Sequence, residues 1–238
     1  MADHSRPLYA VLIDADNIPA ENAEAVLKEV TTFGEPALRR VYGDWSSGQL
    51  KRWSEKILAL GLVAHQETAN TKGKNASDIG LVIDAMDILH TGRFDGFVLV
   101  SSDSDFTRLA SRIREEGLDV IGIGERKAPE ALRNVCNRFI LIENLIEEPA
   151  PVGGNSPATI AGKENPTRAV PLILRAMDKM NIDDEWYDLA PLGKFIMADN
   201  PDFDTRTYGE KKLSDLIRKL KQFETRKDVN KLMLRRIS

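Results

Sequence analysis

Short apolar runs alternate with longer amphipathic stretches through the first 145 residues. Tyr9 to Ile13 is apolar throughout, as a strand covered on both faces requires, and Ala20 to Phe33 shows helical spacing that closes at Gly34. The rhythm then repeats. Leu38 to Tyr42, Leu62 to His65, Phe97 to Ser101, Val120 to Ile123 and Phe139 to Ile142 read as strands. Between them the spacing predicts helices near Ser47 to Leu60, Ser77 to His90, Asp105 to Glu116 and Pro129 to Asn134. Such alternation predicts an α/β fold, a mostly parallel sheet with helices on both faces.

Periodicity stops at Glu147, where Pro, Gly, Ser, Asn and Ala take over as far as Pro166. The expected division is a first domain over residues 1–146, a flexible linker over 147–165 and a second domain over 166–238. In the tail, helices are expected from about Thr167 to Met180, around Leu189 to Met197 and from about Glu210 to Lys221. "VNKLMLRRIS" then reads as the second arm of a strand pair, which together with three short helices predicts a small winged-helix domain. No internal repeat interrupts this order.

Composition narrows the classes. The chain is 42% hydrophobic, enough for a packed core, yet no apolar run approaches the roughly 18–20 residues that span a bilayer. The first residues lack a signal peptide's apolar centre, so a cytoplasmic location and no membrane partner are expected. One cysteine, Cys136, rules out an internal disulfide, and His4, His65 and His90 are too few and scattered for a structural zinc site. A metal therefore has to be held by oxygen. Charge is uneven: residues 1–150 carry 17 Lys and Arg against 24 Asp and Glu, whereas 166–238 carry 15 against 12. A basic tail suits a polyanionic partner or a solvated helix face equally well.

The candidate chemistry lies where strands end. "YAVLIDADN" runs into Asp14 and Asp16, and "GFVLVSSDSDF" into Asp103 and Asp105. In an open parallel sheet ligands gather at those carboxyl ends, although aspartates there also cap helices and shape turns. Asp78 discriminates between these alternatives. On a helical wheel it falls among Val82, Ala85 and Leu89, facing inward, whereas Asp84 and Asp87 take the opposite side and are expected in solvent. Carboxylates brought together repel unless a divalent cation neutralises them, and oxygen ligands suit Mg2+ or Mn2+. Such a centre hydrolyses phosphodiesters without a Ser, Cys or His nucleophile. Asn17, Ser101, Ser102 and Ser104 are placed to hydrogen-bond water or substrate phosphate, and Lys72 and Lys74 to meet a phosphate backbone. Neither glycine-containing loop, "NTKGKNAS" nor "GIGERKAPE", meets a phosphate-loop or dinucleotide fingerprint.

"VLIDADN", "KGKNASDIGLVIDA" and "VLVSSDSDF", in this order, resemble the NYN domains of the PIN-like nuclease superfamily, in the LabA or limkain-type branch, over about Tyr9 to Leu145. The resemblance implies a Rossmann-like (PIN-like) sheet and an acidic Mg2+- or Mn2+-dependent centre that cuts RNA. It implies that Asp14, Asp78, Asp103 and Asp105 are the catalytic and metal-holding residues, with Asn17 as partner of Asp14 and Asp16 as an added acidic residue. Two departures are visible: the Lys-Gly-x-Asp spacing is stretched before Asp78, and the usual Ser-Gly-Asp reads Ser-Ser-Asp at Ser101 to Asp103.

The tail, "LAPLGKFIMADNPDFDTRTYGEKKLSDLIRKLKQFE", resembles the LOTUS, or OST-HTH, winged-helix family. That implies binding of RNA, in single-stranded form, or of a protein partner, and makes Arg206, Lys211, Lys212 and Lys219 candidate phosphate contacts. Phe203 and Tyr208 are expected in the core. The expected function is a metal-dependent RNA endonuclease with a C-terminal targeting module. The alternatives are a non-catalytic RNA-binding adaptor and a phosphatase or phosphotransferase acting on a small molecule.

Overall fold

A computed structural model describes residues 6–45, 50–66, 76–146, 163–182, 184–229 and 231–237, with the side chains of Ala76 and Ser77 left aside. The chain forms two compact units, Met1–Glu147 and Glu148–Ser238. Most of the expected linker, residues 147–162, lies outside the described residues.

The first unit is built on six strands: β1 (Leu8–Asp14), β2 (Glu35–Gly43), β3 (Val63–Gln66), β4 (Gly96–Val100), β5 (Asp119–Gly124) and β6 (Arg138–Leu141). They run in the order β3-β2-β1-β4-β5-β6, every pair parallel. The connecting helices are α1 (Ala23–Val30), α2 (Lys51–Leu60), α3 (Ala76–His90), α4 (Thr107–Glu115) and α5 (Glu130–Val135).

Alternate residues of β1 point to opposite faces, and both faces are covered. Val11 and Ile13 join Val26 and Val30 of α1 and Trp53 of α2 in one core. Ala10 and Leu12 join Leu81, Ala85 and Ile88 of α3, Ile113 of α4 and Leu132 of α5 in the other. That is why β4, and β1 as far as Ile13, are apolar at every position and not alternately polar.

The order in which strands are added reverses at β1, from which β2 and β3 extend to one side and β4, β5 and β6 to the other. The crevice outside the carboxyl ends of β1 and β4 is the topological switch point of the sheet. Ile13 pairs with Val100 there, so Asp14 and Ser101 come out side by side. Gly124 lets the β5 end close in beside them, because a Cβ at that position would stand 2.5 Å from the Ser101 carbonyl oxygen.

In the second unit α6 (Val170–Met180), α7 (Leu189–Asp199) and α8 (Leu213–Arg218) pack with an antiparallel sheet of β7 (Tyr187–Asp188), β9 (Lys231–Arg236) and β8 (Phe223–Asp228), in that order. Ile173, Met177, Leu192, Ile196, Leu216, Ile217, Phe223 and Leu234 form its core. Phe203 belongs to it as well, with Tyr208 packed against it at 6.0 Å between ring centroids.

The helix expected from Glu210 to Lys221 is shorter, because Gly209 turns with φ +80° and Lys212 is extended, so that α8 starts at Leu213. The two-residue β7 has no periodicity to announce it. No helix among the described residues is long and apolar enough to cross a membrane.

Candidate metal centre

At the end of β1 the Asp14 carboxylate is buried, and both of its oxygens are occupied. Oδ1 accepts the backbone N–H of Asp16 at 3.1 Å and of Asn17 at 3.2 Å, and Oδ2 accepts the Ser101 hydroxyl at 2.8 Å. The first two bonds form an aspartate turn that leads the chain away from the strand. Ile18, which follows, is buried, and its carbonyl receives the Trp53 indole N–H at 3.2 Å, so the turn is anchored to α2.

At the end of β4, Ser101 Oγ accepts the Asp103 N–H at 3.1 Å, and Asp103 Oδ1 in turn accepts the Asp105 N–H at 2.9 Å. Asp103 thereby caps a short 3-10 turn that leads into α4. Capping leaves the remaining carboxylate lone pairs of Asp103 available, and Asp105 is exposed. The third member arrives from the first turn of α3, where Asp78 is half-buried.

Asp78, Asp103 and Asp105 each offer an oxygen, and these oxygens lie within 4.8 Å of one another. Burial, followed by the charges of Asp14, Asp103, Asp105 and Asp16, pushes the Asp78 carboxyl up to about 6. Burial also raises Asp14 above the ordinary carboxylate value, against the lowering effect of its Ser101 hydrogen bond. Five aspartates thus share one field. Either a proton or a cation relieves such a cluster, and an all-oxygen donor set fits a hard divalent ion. Asp14 and Asp16 belong to this field without belonging to the close trio, Asp14 being buried and Asp16 exposed.

Other expected contacts fall elsewhere. Ser102 is buried and its Oγ accepts the Glu125 N–H at 2.8 Å, which ties the β4 end to the β5 end and gives this side chain a structural bond in place of an exposed position for the substrate contact expected of it. Asn17 is half-buried beside the Asp14 turn. Lys72 and Lys74 lie outside the described residues. In the second unit Arg206 grips Asp204 with both Nε and Nη2, the latter at 2.6 Å, and Lys219 pairs with Glu210. Lys211 and Lys212 are exposed, and neither has an ion-pair partner among the described residues.

Asp84, expected in solvent, is instead a half-buried acceptor for the Arg40 guanidinium and the Tyr42 hydroxyl. The helical wheel registers only the faces of α3 itself. Strand β2 brings two polar side-chain tips to a face that would otherwise be wet. Arg40 and Tyr42, two apart and so on the same face of β2, were the available signal.

Residues 9–143 match the family model described as NYN domain, and residues 164–234 the one described as OST-HTH/LOTUS domain. No curated protein matches the chain. Among solved structures, one of a protein of unknown function from Vibrio parahaemolyticus is 20% identical, covering 60% of this chain and 96% of that one with a TM-score of 0.49. An uncharacterized protein from Nitrosomonas europaea, solved by NMR, is 30% identical over 38% of this chain and 93% of its own, with a TM-score of 0.29. MurG from Acinetobacter baumannii is 12% identical, covers 89% and 69% respectively, and has a TM-score of 0.37.

Proposed function

Because the chain belongs to the NYN domain family and carries an OST-HTH/LOTUS domain behind it, we propose that it is a metal-dependent RNA endonuclease. One observation carries the proposal: the carboxylate oxygens of Asp78, Asp103 and Asp105 converge within 4.8 Å at the sheet's switch point. In this scheme the trio holds Mg2+ or Mn2+, which supplies Lewis-acid polarisation of the scissile phosphate when bound. Asp14 and Asp16 deepen the negative field and so favour a cation over a proton at Asp78 as pH rises. The Asp14 turn and the Ser101 bridge hold the two strand ends in place.

In this scheme water is the attacking group, as suits hydrolysis at a divalent ion held by carboxylates. Asn17, half-buried in the Asp14 turn, orients the phosphate in the same scheme. The second domain binds single-stranded RNA through Lys211 and Lys212, and it compensates for the acidic character of the first domain in attracting a polyanion.

The test is cleavage of varied single-stranded RNAs and matched DNAs by the full chain with Mn2+, Mg2+ or a chelator. RNA is expected to be cut with either ion, and Asp103→Asn to abolish the activity. Equal inertness of wild type and Asp103→Asn on all RNAs with both ions overturns the assignment.

A further inference from the structure

Helix α3 is apolar on more than its buried side. Leu81, Ala85, Ile88 and Leu89 pack on the sheet, yet Ile79 and Ile83 lie 60% and 59% exposed on the outer surface. Apolar burial is non-directional, so a helix with apolar residues on both sides is poorly held against rotation about its axis by burial alone. Side-chain tips stand about 5–6 Å from a helix axis, so a turn of roughly 20° displaces them by about 2 Å. Ligand distances at a metal site tolerate about 0.2 Å. Something directional has to set the rotation of α3 if Asp78 is to meet Asp103 and Asp105.

Asp84, on the same helix, receives both the Arg40 guanidinium and the Tyr42 hydroxyl. Both donors come from β2, and Tyr42 is fully buried with its ring against His65, 5.1 Å between centroids. Tyr42 is also the register partner of Asp14. The bonds therefore refer the rotation of α3 to the very level of the sheet at which Asp14 sits.

Resting on the metal-centre assignment, we propose that Tyr42, Arg40 and Asp84 are positioning residues that lock α3 and thereby set the affinity of the Asp78–Asp103–Asp105 site for its divalent ion. None of the three touches the ion or the substrate. Removing the lock leaves all the carboxylates present but Asp78 displaced.

The test is Mn2+ binding to the full chain, followed by the electron paramagnetic resonance of the free ion, with thermal melting of the same samples. Tyr42→Phe and Asp84→Asn are each expected to weaken Mn2+ binding about 10-fold. The control is Tyr9→Phe, which removes another partly buried phenol–carboxylate bond, Tyr9 to Asp119 at 3.4 Å, at the amino end of the strands. It is expected to lower the melting midpoint and leave Mn2+ affinity unchanged, which separates positioning from stability. In RNA cleavage the two lock variants should lose kcat with KM for RNA unchanged. Wild-type Mn2+ affinity in both lock variants overturns the proposal and leaves the nuclease assignment standing, whereas a wild-type chain that binds no Mn2+ overturns both. If Asp84→Asn fails to fold, Tyr42→Phe, which keeps the ring, decides alone.

Discussion

Ser101, directly after β4, donates its hydroxyl to Asp14 Oδ2 at the end of β1 across 2.8 Å, and its own oxygen accepts the Asp103 N–H at 3.1 Å. One hydroxyl thus joins the two strand ends that carry the acidic residues. Ser101→Ala leaves a buried carboxylate short of a donor and an amide without its acceptor, so a loss of about 1–3 kcal/mol in denaturant unfolding is expected. The loss depends on pH. Asp14 already titrates above its ordinary value through burial, and the Ser101 bond restrains that rise. Without the bond the folded-state value climbs further, and a raised folded value means stability that is lost as pH rises through it. The deficit of Ser101→Ala should therefore be larger at pH 8 than at pH 4; a deficit that does not change with pH would contradict the role given to the bond.

Asp78 is pushed up to about 6 from an ordinary 3.8, first by burial and then by its aspartate neighbours. Its contribution to stability in metal-free protein is complete below the unfolded value near 3.8 and disappears as pH rises through 6. In chelator at pH 8, Asp78→Asn should therefore melt above wild type, by about 2–4 °C for a group this solvated. The advantage should shrink as pH falls from 6 to 4. Scanning calorimetry of both proteins across that range measures it.

Mn2+ should reverse that order. An ion that binds only the folded chain adds about 2.7 kcal/mol at 100 times its dissociation constant, and the gain needs deprotonated ligands. Wild type should gain melting temperature with Mn2+ at pH 7.5 and gain little at pH 5, while Asp103→Asn and Asp105→Asn gain little at either pH. Equal gains in all three proteins would move the ion away from the trio.

The sheet and the acidic strand ends are legible in sequence, because strands buried on both faces are apolar at every position and because aspartates directly after such runs can only fall at carboxyl ends. Asp78 is legible from its place on the apolar stripe of its own helix. The neighbourhoods of Asp84 and Ser102 are not, since both are decided across the sheet: Asp84 by Arg40 and Tyr42 on β2, Ser102 by the Glu125 amide after β5. Periodicity reports which way a residue points along its own element and is silent about what the neighbouring strand presents to it. Local chemistry limits the second domain as well. Gly209 breaks the last helix before Lys211 and Lys212, so these lysines flank α8 and do not line one of its faces.

That placement separates the four candidate phosphate contacts of the second domain, Arg206, Lys211, Lys212 and Lys219, into two kinds. Arg206 binds Asp204, whose side chain is only 7% exposed, so Arg206→Ala strands a buried carboxylate and should cost about 1–3 kcal/mol in stability. Lys219 is likewise engaged, with Glu210. Lys211 and Lys212 have no such partner among the described residues, and their charge reversal to Glu should leave stability within about 0.5 kcal/mol of wild type. Their effect should appear in RNA affinity and its salt dependence instead. Each phosphate contact to single-stranded nucleic acid contributes about 0.7 to the slope of log affinity against log salt, so Lys211→Glu and Lys212→Glu should each flatten it by at least that amount. Fluorescence anisotropy of the full chain on labelled single-stranded RNA from 50 to 300 mM salt (roughly the range over which counterion release is resolved) reads the slope. If Arg206→Ala changes the slope and the lysine reversals do not, the RNA contact lies on the Arg206 side of the domain and the ion pair with Asp204 opens to make it.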